Sequence, residues 1–319
     1  MRATTSIGCG MRSPRFTRQI GHSMTPHRRI QLGIMVTLLL GLAFLQRPDG
    51  QLHIFLLEGS GDAMLIQTPT GAHILIDGGS DPAALTSQIS AHMPFWKRHL
   101  DAVILTLADR KYMPGQVAAL KRYQATLAVV ASTGGRGALA NEWRQQLQAS
   151  QTSIKVVSSG KIFRLNGLAF QVLAVGDQEE DGLVLRLDYG STSVVFAHTI
   201  GDADERLLGD SGLRPATMLA YPWGRDPNNP FVVSIAPASI VFTDGQVVEP
   251  SAQLTMTQRT VAGASYHERL HGLIEWVSDG RRASTRVSRN YCAASDDWTS
   301  ALFPSTQSIS ASCNNRERS

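Results

Sequence analysis

Four side chains have the chemistry and the setting to act together: Asp77, Asp109, His198 and Asp202. Asp77 closes the apolar run His73–Asp77 ahead of two glycines, Asp109 follows Ala102–Thr106, and His198 follows Ser193–Ala197 with Asp202 shortly after. Carboxylates and an imidazole at strand ends are the donors from which an improvised metal site would be built. Asp77 in Ile-Asp-Gly-Gly has a second reading, which is adopted: a structural carboxylate that accepts hydrogen bonds from backbone amides. His267 and His271 have the i, i+4 spacing of a zinc pair on a helix. The stretch from Tyr266 to Gly272 leads into a strand, however, so two exposed histidines are expected. Ser132–Gly137 would cradle a phosphate with Arg136 but lacks the Lys-Ser/Thr of a P-loop, and it reads as an ordinary loop. Gly59-Ser60-Gly61 reads as a turn, and no Gly-x-Ser-x-Gly elbow is present. Cys9, Cys292 and Cys313 include no Cys-x-x-Cys, which excludes a zinc–thiolate site of that kind. Cys292 and Cys313 are free to pair if the domain lies outside the cytoplasm; two unpaired thiols are the alternative.

The rest of the chain must position these groups. At 319 residues, 43% apolar and 18% charged, it is long enough and apolar enough for a substantial core. The net charge is +4, but the first 29 residues carry six arginines and no acid, which leaves −2 for everything after residue 29. The folded part therefore has no global attraction for polyanions, although local basic patches remain open.

Residues 1–29 read as a basic leader without order, and Met24 is an alternative start. Ile30–Leu45 is a run of sixteen residues without a charge. That is roughly 24 Å of helix against a hydrocarbon core of roughly 30 Å, a gap closed by snorkelling of Gln46 and Arg47 and by local thinning. The adopted reading is a single-pass signal anchor over 30–47, with a cleaved signal or a buried core helix as alternatives. Arginines on the N-terminal flank send the residues after it out of the cytoplasm. A folded domain over 48–290 and a flexible Ser-rich tail over 291–319 complete the division.

Within the domain, Leu52–Leu57, Ala63–Gln67 and His73–Asp77 are separated by good turns and read as consecutive antiparallel strands. Ser80 or Asp81 caps a helix with Pro82 near its first position. The pattern then alternates: strand 102–106, helix 114–124, strand 126–131, helix 138–149, as in βαβ units around a buried sheet. Strands follow at 153–157, 168–174, 183–188 and 193–197, then a short helix at 202–208 and strands near 216–221 and 238–243. A hairpin turning at Asp279-Gly280 pairs 272–277 with 284–287.

Together these segments resemble the metallo-β-lactamase superfold, a four-layer αββα sandwich of the α/β (α+β) class, here preceded by one transmembrane helix. More narrowly, Phe55–Gly79 is similar to the opening of the C-terminal domain of ComEC-type competence proteins, channels that internalise DNA. The family version reads Phe-Leu-Asp-Val-Gly-Gln-Gly-Asp-Ala, a strand, a Thr-Pro-x-Gly turn and Leu-Ile-Asp-Gly-Gly. Pro94–Trp96, Leu100–Thr106, Leu183–Gly190 and His271–Gly280 extend the resemblance, which covers about residues 30–285. The family's multi-helix channel and its N-terminal domain are absent from this sequence.

In active members of the superfold the turn after the strand at 102–106 reads Thr-His-x-His-x-Asp-His-x-Gly-Gly and holds two metals. Here Thr106 is kept and the ligand positions read Leu107, Asp109, Lys111 and Tyr112. Thr199 stands where a Thr-Gly-Asp would supply a carboxylate, and Ala220–Gly224 replaces a later His-His motif. A hydrocarbon chain cannot coordinate, and an ammonium repels a divalent cation. The resemblance thus implies a binding or scaffolding module with no cofactor, tethered to the membrane through residues 30–45, with DNA or the uptake machinery as partner. The alternative is a phosphodiesterase or nuclease using zinc or manganese in a rearranged site.

Overall fold

Strand β1 (Leu52–Leu56) shows how the sequence builds the layers. Leu52, Ile54 and Leu56 belong to one buried cluster, Phe55 and the following Leu57 to another, so the two faces of a single strand enter two different cores. The chain continues through β2 (Met64–Gln67) and β3 (His73–Ile76), joined by a turn in which the Thr68 hydroxyl accepts the Ala72 amide at 3.0 Å. Both pairings are antiparallel, as the sequence leads one to expect. Helix α1 (Pro82–His92) is capped by Asp81, whose Oδ1 accepts the amides of Ala83 and Ala84 at 2.9 and 3.0 Å. Alternation follows: β4 (His99–Leu105), α2 (Met113–Arg122), β5 (Gln124–Val130), α3 (Ala138–Ala149) and β6 (Ser153–Val156), with parallel pairing from β3 to β6.

The second half contributes β7 (Ile162–Leu165), β8 (Leu168–Val175), β9 (Leu183–Tyr189), β10 (Thr192–Phe196), α4 (Asp202–Asp210) and β11 (Met218–Pro222). Then come α5 (Pro230–Ile235), β12 (Ser239–Thr243), β13 (Ala264–His267), the single-turn α6 (Glu268–His271), and the hairpin β14 (Ile274–Ser278) and β15 (Ala283–Val287). The first sheet has the order β15-β14-β1-β2-β3-β4-β5-β6 and the second β13-β12-β11-β10-β9-β8-β7. This computed structural model describes residues 48–58, 62–132, 135–177, 181–243 and 263–289, with Arg47 and five helical positions between 31 and 41 assigned to a separate unit.

Three clusters stack into four layers. Ile74, Ile76, Ile104, Leu185, Leu187, Phe196 and Trp276 lie between the sheets. Leu85, Ile89, Val117, Leu120, Trp143 and Leu147 pack α1, α2 and α3 against the outer face of the first sheet. Leu208, Phe231, Val232 and Ile235 do the same for α4 and α5 on the second. The result is the expected αββα arrangement, a mixed α/β two-sheet sandwich.

Four elements differ from the sequence reading, which contains no β7, α5, β13 or α6. Helix α5 is set by Asn229, whose Oδ1 accepts the Val232 amide at 3.0 Å, and by Pro230 at the first position. The anchor and leader, the tail with Cys292 and Cys313, and the turn Gly59-Ser60-Gly61 lie outside the described residues, apart from those isolated positions in the anchor. Among the described residues no helix is long and apolar enough to cross a membrane.

One close approach fixes where α2 begins. A Cβ on Gly78 would sit 1.8 Å from the Gln116 nitrogen, and one on Gly115 would sit 1.8 Å from the Gly78 carbonyl oxygen. The Gly78 amide donates to Tyr112 O at 2.7 Å and the Gly115 amide to Gly79 O at 3.1 Å, so the turn after β3 and the start of α2 are in backbone contact. Only glycine fits on either side. Gly78→Ala is expected to cost at least about 3 kcal/mol, read as a lower urea midpoint at unchanged slope, because a backbone cannot yield as a side chain does.

Candidate functional site

The parallel strands end on one edge of the sandwich, where ligands of α/β sheets gather. Asp77 follows β3 with a left-handed φ of 52°, a conformation Asp tolerates better than most residues. Its own amide donates to Ile104 O at 2.8 Å. Its carboxylate accepts three donors: the Thr106 amide on Oδ1 at 2.8 Å, and the Thr106 hydroxyl at 2.5 Å and His198 Nε2 at 2.7 Å on Oδ2. The Asp77 and His198 side chains are fully buried. Because the carboxylate needs donors, Nε2 carries the imidazole proton, and the buried Nδ1 has no hydrogen-bond partner among the described residues. Thr106 also accepts the Leu183 amide on its carbonyl at 3.0 Å, so β3, β4 and the second sheet meet at one polar knot.

Of the four residues singled out from the sequence, the structure brings together Asp77 and His198. Asp77 was expected to accept backbone amides; it accepts one, with a hydroxyl and an imidazole beside it. Asp109 is spent locally, its Oδ1 accepting the Lys111 amide at 2.9 Å. Asp202 opens α4, exposed, and pairs with Arg225 at 2.5 Å. Leu107 and Tyr112 are buried and Lys111 is exposed; the buried Thr199 hydroxyl reaches Leu183 O at 3.4 Å. Among the described residues no group of three His, Cys, Asp or Glu side chains is placed to hold a metal ion. Zinc or manganese does not fit this donor set, because the Asp77 carboxylate already accepts three donors, His198 is turned to it through Nε2, and the other motif positions are a hydrocarbon, a phenol and an exposed ammonium.

His267 and His271 correct the sequence reading. Both are buried, not exposed. His267 Nδ1 accepts the Arg269 amide at 3.2 Å as the cap of α6, and His271 Nδ1 accepts the His267 amide at 3.0 Å. Each ring has turned a nitrogen to the backbone. The pair holds a turn together and is not arranged as two ligands of one ion.

The residue between them was missed. Glu268 lies in a small pocket at the same edge, with Asp62, Thr243, Leu56, Met64 and Phe242 among its lining. Burial, then the Asp62 carboxylate, push the Glu268 carboxyl up to about 7; Arg269 pulls the other way, and Glu58 adds the smallest push. Asp62 was hidden in the sequence inside a Gly-Ser-Gly-Asp turn, where acids are commonplace. The available signal was the setting of Glu268, a lone acid between two histidines just ahead of an apolar strand.

Comparison with solved structures finds this layered architecture at low identity. The CmlA β-hydroxylase from Streptomyces venezuelae, in a single-residue mutant form, is similar over 70% of this chain and 53% of its own, at 11% identity and a TM-score of 0.52. This chain therefore spans about half the length of that protein. The sandwich is consistent with the metallo-β-lactamase fold. YhfI from Bacillus subtilis, described as a metallo-β-lactamase fold protein, matches over 67% of this chain and 96% of its own at 14% identity, with a TM-score of 0.47. A diphosphatase of the PhnP family matches over 72% and 97% at 15% identity, with a TM-score of 0.46. No family model and no curated protein matches the sequence. Identities this low speak for the fold alone.

Two outcomes are expected. Asp77→Ala strands three donors in a dry interior and lowers stability by about 3–5 kcal/mol, while Asp77→Asn, which keeps an acceptor and the left-handed backbone, loses less; denaturant titration ranks them. For Glu268, a folded value near 7 against an ordinary 4.5 means the folded state holds the proton more tightly. Its contribution is full below about 4.5 and is lost as pH rises through 7. Glu268→Gln should therefore be the more stable protein at pH 8, by up to about 3 kcal/mol, with the advantage shrinking toward pH 4.5.

Proposed function

We propose that this chain is a membrane-tethered, non-hydrolytic relative of the ComEC-type domain. Its sandwich lies outside the cytoplasm and acts as a binding or scaffolding module for DNA or for components of a DNA-uptake machinery. The observation that carries the non-hydrolytic part is the saturation of Asp77. Its carboxylate already accepts three donors, and the turn after β4 turns Leu107 and Tyr112 into the core instead of offering imidazoles to a metal. The sequence blocks at Phe55–Gly79 and Leu100–Thr106 support the narrower kinship. The apolar run at 30–45 with its arginine flank supports the tether. With −2 net charge after residue 29, DNA contact would fall to a local basic patch, and a protein partner suits the surface better.

The test is metal analysis of the purified full-length protein together with a phosphodiesterase assay in added zinc and manganese. The expected result is substoichiometric metal and no turnover. Stoichiometric zinc or manganese, with hydrolysis abolished by Asp109→Ala or Asp202→Ala, would reverse the reading in favour of a rearranged hydrolase.

A further inference from the structure

Two large aromatic side chains stand in water at the end of the sandwich where its chain enters. Phe95 and Trp96 are 59% and 48% exposed and meet edge to face, with ring centroids 4.8 Å apart. They occupy the two central positions of the turn between α1 and β4, which the Lys97 amide closes by donating to Pro94 O at 2.8 Å. Such positions ordinarily go to Gly, Asn, Asp or Ser, because the tip of a turn faces water. The turn is also held stiffly. Lys97 Nζ donates to Gly71 O at 2.9 Å and to Asp101 Oδ2 at 3.0 Å, and lies 3.0 Å from His73 Nδ1, so the aromatic tip is pinned to the β2–β3 turn.

The strand registers show what else is gathered there. Leu52 opposite Ser278, His53 opposite Gln67, Gln67 opposite His73 and Ile74 opposite Ala102 place the starts of β1, β3 and β4 beside the ends of β2 and β14. This is the end far from Asp77, which follows the last residue of β3. Pro48, just ahead of β1, lies against the β2–β3 turn: a Cβ on Gly71 would be 2.5 Å from its Cγ. Exposed cations surround this entry. Arg98 follows the aromatic pair, and its carbonyl accepts the Gln124 amide at 3.2 Å, which brings exposed Arg122 at the end of α2 to the same place. Arg281 and Arg282 are exposed on the β14–β15 turn. The acids around the entry are engaged: Asp49 with His53 at 3.0 Å, Asp101 with Lys97 at 3.0 Å, and Asp279 with the amides of Arg281 and Arg282, both at 2.7 Å. By strand order the chain therefore enters between the aromatic pair with its arginines on one side and the Arg-Arg turn on the other.

We propose that this end of the domain docks on a lipid bilayer, with Phe95 and Trp96 seated at the headgroup boundary and the arginines among anionic headgroups. The inference rests on the tether over 30–47. Pro48 follows that segment directly, and the residues from Leu45 to Pro48 reach about 10 Å at most when extended, so the entry cannot leave the interfacial region. Indole and phenyl rings favour that boundary, and arginines are drawn to its anionic lipids. Aromatic rings also anchor protein interfaces, but a protein here would have to fit the narrow gap that so short a link leaves. Docked in this way, the sandwich presents its Asp77 edge away from the membrane.

The test uses the full-length protein reconstituted in vesicles of phosphatidylcholine and phosphatidylglycerol, with and without phosphatidylcholine brominated near the headgroup end of its chains. Tryptophan emission is read. Trp143, Trp223 and Trp276 are buried, at 4%, 8% and 1% exposure, and Trp96→Phe isolates the Trp96 contribution by difference. The brominated lipid is expected to quench that contribution. Phe95→Asp and Arg98→Glu, both at exposed positions and checked for folding by thermal unfolding, should lose most of the quenching. Quenching that survives either variant unchanged means that the tether alone brings Trp96 near the lipid, and it overturns the docking. Extraction with alkaline carbonate separates the two readings. A chain stripped from the vesicles defeats the tether and this inference together. A carbonate-resistant chain whose Trp96 is unquenched defeats this inference alone and leaves the aromatic pair to a protein partner.

Discussion

The sandwich depends on one buried polar contact, the acceptance of three donors by the Asp77 carboxylate. Almost everything else between the sheets is apolar, and apolar burial is tolerant of small shifts in how two surfaces lie on each other. The contact at Asp77 is not. The Thr106 amide and hydroxyl fix β3 against β4 within the first sheet, and His198 reaches across from the second. All three bonds form only at one relative placement of the sheets, and any other placement leaves a charge without partners in a dry interior. The knot is thus a registration device at the edge where the strands of both sheets end. The Gly78–Gly115 backbone contact makes the same demand on α2 from the outer side.

The layer order was legible because periodicity was strong. Strand β1 alternates residues between two cores, and the switch from hairpins to strand–helix alternation after β3 marks the passage from antiparallel to parallel pairing. What the sequence hid was short. Strand β7 has four residues, and its Ile162 and Arg164 face solvent, so it offers only two apolar contacts to read. Helix α5 carries its own start signal in Asn229-Pro230, but the apolar Phe-Val-Val that follows has the look of a strand, and six residues show no helical period. Strand β13 and α6 divide the seven residues from Tyr266 to Gly272 between two conformations, which is how two histidines taken as exposed came to be buried caps.

The site divides along the same line. Asp77 was readable as a structural acid because an apolar strand running into Asp-Gly-Gly leaves a carboxylate at a strand end with no room for a larger neighbour. Its partner His198 was among the same four candidates, but 121 residues separate the two and no local pattern shows that of the four only this pair would meet. Asp109 and Asp202 satisfy local demands instead, one an amide two residues ahead and the other the Arg225 guanidinium. Each of those bonds is short in sequence or exposed, and neither draws its acid toward the knot.

The two ends of the inter-sheet edge therefore stand in opposite electrostatic conditions. Where β3, β4 and β10 end, one carboxylate has three donors and burial costs it little. Where β1 and β12 end, Asp62 and Glu268 line one small pocket, and burial together with the neighbouring carboxylate raises the Glu268 carboxyl to about 7. Replacing Glu268 by glutamine removes the charge that burial penalises, so the two ends of the edge differ in how their acids respond as pH rises.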